Sequence, residues 1–422
     1  MDINSILKPI ACSCGKTHTC DIEYVYIEKN AISRLGTLCN QNRNILLVAD
    51  ENTFSAAGEK VLKQLENKNI SKVIFSGKTI LIPNEKAIEA VNNALGDTDL
   101  IIGIGSGVIQ DLCKYVAFFS KLPYIIVATS PSMDGYASNG AAMILNGMKE
   151  TVAAGLPKAI VADTDVLKNA PLEMIKAGYG DIIGKYSALC DWKLSTVVND
   201  EYFCQYIYDT TYKMIEATQN LAGKLINRDE ESIGTLMEAL VTVGIMMSFA
   251  GSSRPASGSE HHLSHFFEIV GIVNSENYLP HGIDVAYSTV VTAKIRERLA
   301  SSVFPDAMYV PDRQSYVNTM DKIYGKVSSG CIALQDKLGT YNRNRVPIYK
   351  EKESEIKSIL SDIPSSDEIK AMLAEVGLDI NEFYEMYGDK KINDAICYAK
   401  DLKDRYTVLW LRYDMFGEAK EI

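Results

Sequence analysis

A chain of 422 residues with 47% hydrophobic and 23% charged side chains has the balance of a folded globular protein and the length for two domains, which excludes a disordered or fibrous one. Its 43 basic and 54 acidic residues leave a formal charge of −11, which repels nucleic-acid backbones and anionic membrane surfaces, so neither is an expected partner. An anionic small-molecule substrate would need a locally basic pocket to offset the same charge.

The first residues, MDINSILKPIACSCGK, lack the charged, apolar and small-residue succession of a secretory signal, and the nine cysteines are odd in number without regular spacing. Both features predict a cytoplasmic protein with reduced thiols. Within this segment, Cys12-Ser13-Cys14-Gly15-Lys16-Thr17-His18-Thr19-Cys20 carries metal-ligating residue types. It matches no structural zinc pattern with paired C-x-x-C knuckles, and a glycine-turned hairpin of reduced thiols is expected instead.

From Asn44 to Asp163, short β-branched runs alternate with amphipathic segments, the pattern of βα units that feed a largely parallel sheet. Strands are predicted for NILLVAD to Asp50, SKVIFSG to Gly77, DLIIGIG to Gly105, PYIIVATS to Ser130 and AIVAD to Asp163. Helices are predicted for 56–66, 85–95 and 108–120. After Asp165 the strand signal fades, and long helices are predicted over 174–197, 204–225, 231–250 and from Asp367 onward. The fold class is therefore α/β: a Rossmann-like parallel-sheet dinucleotide-binding domain over 1–170, then an all-helical metal- and substrate-binding domain over 171–422. The division is placed at Ala170-Pro171, where proline interrupts the periodicity. Ile233–Ala250 is the longest apolar stretch; Glu238 interrupts it, which predicts a buried core helix rather than a membrane span.

Chemistry concentrates at the carboxyl ends of these strands. Gly103-Ile104-Gly105-Ser106-Gly107-Val108-Ile109-Gln110-Asp111 follows an apolar strand and opens a helix, where glycines admit a pyrophosphate to free N–H groups. Its third glycine falls too early for G-x-G-x-x-G, and a tight strand-to-helix turn explains the segment equally well. Thr129-Ser130-Pro131-Ser132-Met133-Asp134-Gly135 ends the next strand with hydroxyls and one carboxylate, as a ligand-binding edge or as a capped turn. Asp50, at an earlier strand end, is placed to accept hydrogen bonds from ribose hydroxyls and to oppose a 2′-phosphate, which favours NAD over NADP.

Three of the five histidines lie in Ser259-Glu260-His261-His262-Leu263-Ser264-His265. His261 and His265, four apart, share one helix face, and His281 follows in LPHG. Asp181, in GYGDIIGKY, supplies a carboxylate. One aspartate and two histidines suit a catalytic divalent metal with an open position, which would stabilise an alkoxide beside a hydride acceptor. Each histidine alone would be an ordinary satisfied imidazole.

In that order, GSGVIQD, TSPSMDGYAS, GYGDIIGKYSALCDW, SSRPASGSEHHLSH and LPHG resemble the sn-glycerol-1-phosphate dehydrogenases, members of the superfamily of dehydroquinate synthases and iron-containing alcohol dehydrogenases. The resemblance runs from about Cys12 to His281, more loosely beyond. It implies NAD (with NADP possible), one divalent metal per chain (Zn or Ni, with Fe possible), and a homodimer or higher homo-oligomer. It makes Asp181, His261 and His281 the metal ligands, turns His265 toward the substrate and leaves His262 a bystander. Gly105 and Ser106, Gly107 to Asp111, Thr129, Ser130, Ser132 and Ser138 are then set against the dinucleotide, and Asp134 and Asp181 touch the substrate. The implied reaction is reversible reduction of dihydroxyacetone phosphate, with a proton reaching the alkoxide through water or His265. Two segments depart from the pattern, 265–281, which is longer, and 296–366, which does not align.

Three other functions share these residues: a polyol dehydrogenase acting on an unphosphorylated substrate, a carbocycle-forming lyase like dehydroquinate synthase, and a binding protein that keeps the fold alone. Arg254, just upstream of the histidines, is the feature expected to separate the first of these, as a phosphate partner.

Overall fold

The computed structural model describes residues 3–145 and 148–419. The chain forms two compact units, Met1–Ile182 with Glu216–Ser252, and Ile183–Ile215 with Ser253–Ile422. Pro171 is not the boundary between them. It immediately precedes a long helix, where its fixed φ and missing N–H suit the first turn, so the proline starts a helix and the chain passes between units within that helix.

The first unit begins with a small antiparallel hairpin, β1 (Ile10–Ala11) and β2 (Thr17–His18), followed by β3 (Tyr24–Glu28). Its main sheet adds β4 (Asn44–Asp50), β5 (Asn69–Phe75), β6 (Leu100–Gly105), β7 (Tyr124–Ala128) and, after a second hairpin of β8 (Gly140–Leu145) and β9 (Met148–Ala153), β10 (Ala159–Asp163). Six strands run parallel in the order β3-β10-β7-β6-β4-β5. The central runs are apolar throughout because both faces of the sheet are covered. Alternate residues of β4 serve opposite cores: Ile45, Leu47 and Ala49 pack with Leu35, Val61 and Leu65, whereas Leu46 and Val48 pack with Val91, Leu112 and Val116. Fully burying each such side chain contributes roughly 1.5–3 kcal/mol.

Helices α1 (Glu59–Gln64), α2 (Glu85–Asn93) and α3 (Gly107–Ser120) connect the strands. Beyond the sheet come α4 (Leu172–Asn199), α5 (Gln205–Thr218) and α6 (Glu230–Ala250). As expected, α6 is a core helix: it is long and apolar enough to cross a membrane, yet it packs against the 3-10 turn Gly135–Ala137 of its own unit.

The second unit is helical. After α4 and α5 it contains α7 (Ser259–Asn274) and α8 (His281–Ser301), which pack together. The stretch that the sequence left unassigned continues as α9 (Arg313–Tyr324), α10 (Ser328–Leu338), α11 (Val346–Glu351) and α12 (Glu353–Ser361). The single helix expected from Asp367 is three, α13 (Ser366–Glu375), α14 (Ile380–Tyr398) and α15 (Val408–Phe416). Helices α12 to α15 surround α8, which is why α8 is buried on nearly all sides.

Candidate active site

In the first unit, β6 turns sharply into α3. A Cβ on Gly105 would stand 2.6 Å from that of Ile109, so only glycine lets the helix start this close to the strand. Ser106 precedes the helix without a side-chain cap, which leaves the first-turn N–H groups of a fourteen-residue helix and its positive dipole end open to a ligand. Two residues expected here have buried side chains. The Ile109 side chain is buried, and Gln110 is fully buried, its Nε2 donating to Tyr124 Oη at 3.2 Å and to the Tyr136 carbonyl at 3.1 Å. Both belong to the core because they fall on the sheet-facing side of α3, so only their main chain faces the turn. Asp50 ends β4 as expected, and there its Oδ1 also caps a short helix, accepting from the N–H groups of Asn52 and Thr53 at 2.8 and 2.9 Å.

The following turn, Thr129–Ser138, is held by a residue the sequence did not reveal. Lys114, fully buried, donates to the carbonyls of Gly135 and Gly140 at 3.1 and 2.8 Å and to Ser138 Oγ at 3.3 Å, with Asp111 3.6 Å away. Burial lowers its pKa, and Asp111 opposes that shift. A lone lysine in the otherwise apolar GVIQDLCKYVAFF, three residues after an aspartate, was the available signal. Tyr136 Oη donates to the Ser130 carbonyl at 2.8 Å, and Ser130 Oγ to Ser132 Oγ at 3.1 Å. Asp181, buried on α4, accepts the Asp134 N–H on Oδ2 at 3.0 Å, which brings the two expected carboxylate residues together. Gly178, one turn earlier, makes this approach possible: a Cβ there would overlap the Pro131 carbonyl oxygen.

In the second unit, α7 and the start of α8 assemble the histidines. The His261 and His281 ring centroids lie 5.1 Å apart, and His265 lies 5.9 and 5.5 Å from them. Nδ1 of His261 is 2.6 Å from Glu260 Oε1, and Nδ1 of His281 is 3.3 Å from Ser264 Oγ, so each ring is oriented by a neighbour at Nδ1. Two imidazoles on one tetrahedral metal, with Zn–N of about 2.0–2.1 Å, place their centroids about 5.2 Å apart. The His261–His281 pair fits that separation and His265 stands farther off. His262 is fully buried, neither ring nitrogen has a hydrogen-bond partner among the described residues, and burial drives its pKa well below the usual value.

Glu260 was not foreseen, though it directly precedes the histidine pair. It is fully buried, accepts the Gly258 N–H at 2.8 Å, and burial pushes its carboxyl up to about 7. Asp191 supports the same region from α4, accepting the Ser259 N–H at the start of α7 at 2.6 Å and the Val408 N–H at the start of α15 at 2.7 Å.

Arg254 does not await a phosphate. Its guanidinium meets Glu201 at 2.6 and 2.5 Å, Ser195 Oγ at 3.2 Å and the Tyr406 carbonyl at 2.8 Å. Burial required these partners, and they commit its donors to the interior. It lines a cavity of about 270 Å³ with Arg343, Arg345, Lys403 and Arg405, against the acidic Glu201 and Asp404.

Comparison with known proteins places the chain among relatives. The family described as iron-containing alcohol dehydrogenase matches residues 26–171. A glycerol-1-phosphate dehydrogenase [NAD(P)+] of Geobacillus thermodenitrificans is 30% identical over 377 residues, 87% of each chain. That of Halalkalibacterium halodurans is 29% identical over 407 residues, 94% of each chain. In fold, the chain is similar to a glycerol dehydrogenase from Schizosaccharomyces pombe, with a TM-score of 0.62 at 16% identity, over 94% of this chain and 87% of that one.

Proposed function

Because this chain belongs to the glycerol-1-phosphate dehydrogenase family, we propose that it is a metal-dependent, NAD(P)-linked enzyme that reversibly reduces dihydroxyacetone phosphate to sn-glycerol 1-phosphate. The observation that carries the proposal is the His261–His281 pair, each ring oriented by a partner on Nδ1 and separated as a shared metal requires.

Asp181, His261 and His281 would hold one divalent metal, zinc or nickel; their one carboxylate and two imidazoles suit either. Bound there, the metal would supply Lewis-acid stabilisation of the oxygen at C2. The chain does the rest. The open N–H groups at Gly107 and Val108 bind the pyrophosphate, while Thr129, Ser130 and Ser132 line its approach. Asp50, at the end of β4, meets the adenine ribose and favours NADH over NADPH. Asp134, fixed through its N–H to Asp181, orients the terminal hydroxyl of the ketone, and His265 passes the proton to C2 oxygen. Free cysteines suit the cytoplasm, and a homodimer belongs to the same proposal.

With Arg254 committed to Glu201, preference for a phosphorylated ketone rests on kinship. NADH oxidation with dihydroxyacetone phosphate, compared with dihydroxyacetone, tests it: kcat/KM should favour the phosphate, and equal or inverted values would make the enzyme a polyol dehydrogenase.

A further inference from the structure

The N-terminal hairpin gathers more metal-ligating chemistry than a turn needs. Cys12 and Cys14 Sγ and a ring nitrogen of His18 lie within 4.8 Å of one another. Cys14 Sγ is 3.5 Å from His18 Nε2. Two ligands at the corners of a tetrahedron around zinc, with Zn–S of about 2.3 Å and Zn–N of about 2.0–2.1 Å, stand about 3.5 Å apart. His18 is buried and stacks on Phe249 of α6, with centroids 5.1 Å apart and planes 15° from parallel, which fixes its ring. The turn is closed by the Cys12 N–H donating to the Lys16 carbonyl at 3.0 Å and the Gly15 N–H to the Cys12 carbonyl at 3.1 Å. Gly15 has φ +86°, which glycine adopts without strain, so both cysteines stay on the same short loop as the histidine.

Strands of two residues each give the hairpin little pairing of its own, and a cross-link through three side chains would add to the packing of His18 on Phe249. The C-x-C-x3-H spacing differs from paired C-x-x-C knuckles, so sequence pattern alone argued against a metal. The folded turn brings the same donors together without a second knuckle.

We propose that Cys12, Cys14 and His18 form a second, structural metal site, selective for zinc and separate from the Asp181, His261 and His281 set. Its fourth position falls to water or to a donor from outside the hairpin. Both thiols release their protons on binding, so the site tightens as pH rises.

Metal content of the full-length protein tests this. Wild type should hold one more equivalent of zinc than Cys12→Ser/Cys14→Ser, and His261→Ala/His281→Ala should keep that equivalent. A cysteine variant with wild-type zinc content overturns the proposal. Should that variant fail to fold, cobalt-loaded wild type still decides, because the Asp181, His261 and His281 set contains no sulfur. Thiolate-to-cobalt charge-transfer absorption, persisting in His261→Ala/His281→Ala, supports the hairpin site, and its absence from cobalt-loaded wild type refutes it.

Discussion

Glu260 Oε1 lies 2.6 Å from Nδ1 of His261, the residue that follows it, and the same oxygen accepts the Gly258 N–H at 2.8 Å. This buried carboxylate fixes the ring and raises its basicity toward whatever Nε2 binds. Glu260→Gln keeps the shape and removes the ionisable carboxyl. It should lower metal affinity and kcat/KM by roughly tenfold to a hundredfold, a loss that excess metal partly restores. Titration of the metal-free variant, followed by kinetics, measures both. Unchanged metal affinity would make Glu260 a packing residue.

Asp191 links stability to pH. Burial pushes its carboxyl up from 3.8 to about 6. Between those values the folded chain holds a proton that the unfolded chain has released. Its contribution therefore makes stability fall as pH rises from about 4 to about 6, then level off. Asp191→Asn should flatten that part of the profile, and losing one acceptor for the Ser259 and Val408 N–H groups should cost about 1–3 kcal/mol. Denaturant unfolding across this pH range compares the two slopes; identical slopes would disprove the assignment.

Arg254→Ala should act on stability. Glu201 keeps about a third of its side chain exposed, so the loss is set near 2 kcal/mol, below the figure for a fully buried pair. Any residual activity should fall equally with phosphorylated and unphosphorylated ketones. A selective loss on the phosphorylated one would return Arg254 to the substrate.

Gly178→Ala should disturb the nucleotide edge from a distance. The added methyl meets the Pro131 carbonyl, so either α4 or the Thr129–Ser132 turn must shift, at about 1–3 kcal/mol. KM for NADH should rise with Tm lowered. An unaltered KM would show that this turn does not hold the dinucleotide.

Strands β4, β6, β7 and β10 were legible because their apolar runs are buried on both faces, and that burial writes itself directly into composition. Strand β3 was not, since it lies at the sheet edge where Tyr24 is exposed and the run YVYIE is short. The β8–β9 hairpin was overlooked although its two runs, GAAMIL and MKETVA, lie close together in sequence. The histidines stood out because the chain has so few. Their supports, Glu260 and Asp191, did not, because a buried carboxylate looks in sequence like any surface acid. Arg254 was misread for the same reason: its partner Glu201 is 53 residues away.

The central claim meets its most direct test in the product. Dihydroxyacetone phosphate and NADH, incubated with the metal-loaded protein, should yield glycerol phosphate of the sn-1 configuration, which an sn-glycerol-3-phosphate dehydrogenase leaves untouched. Absence of NADH oxidation, or a product which that second enzyme consumes, would contradict the account.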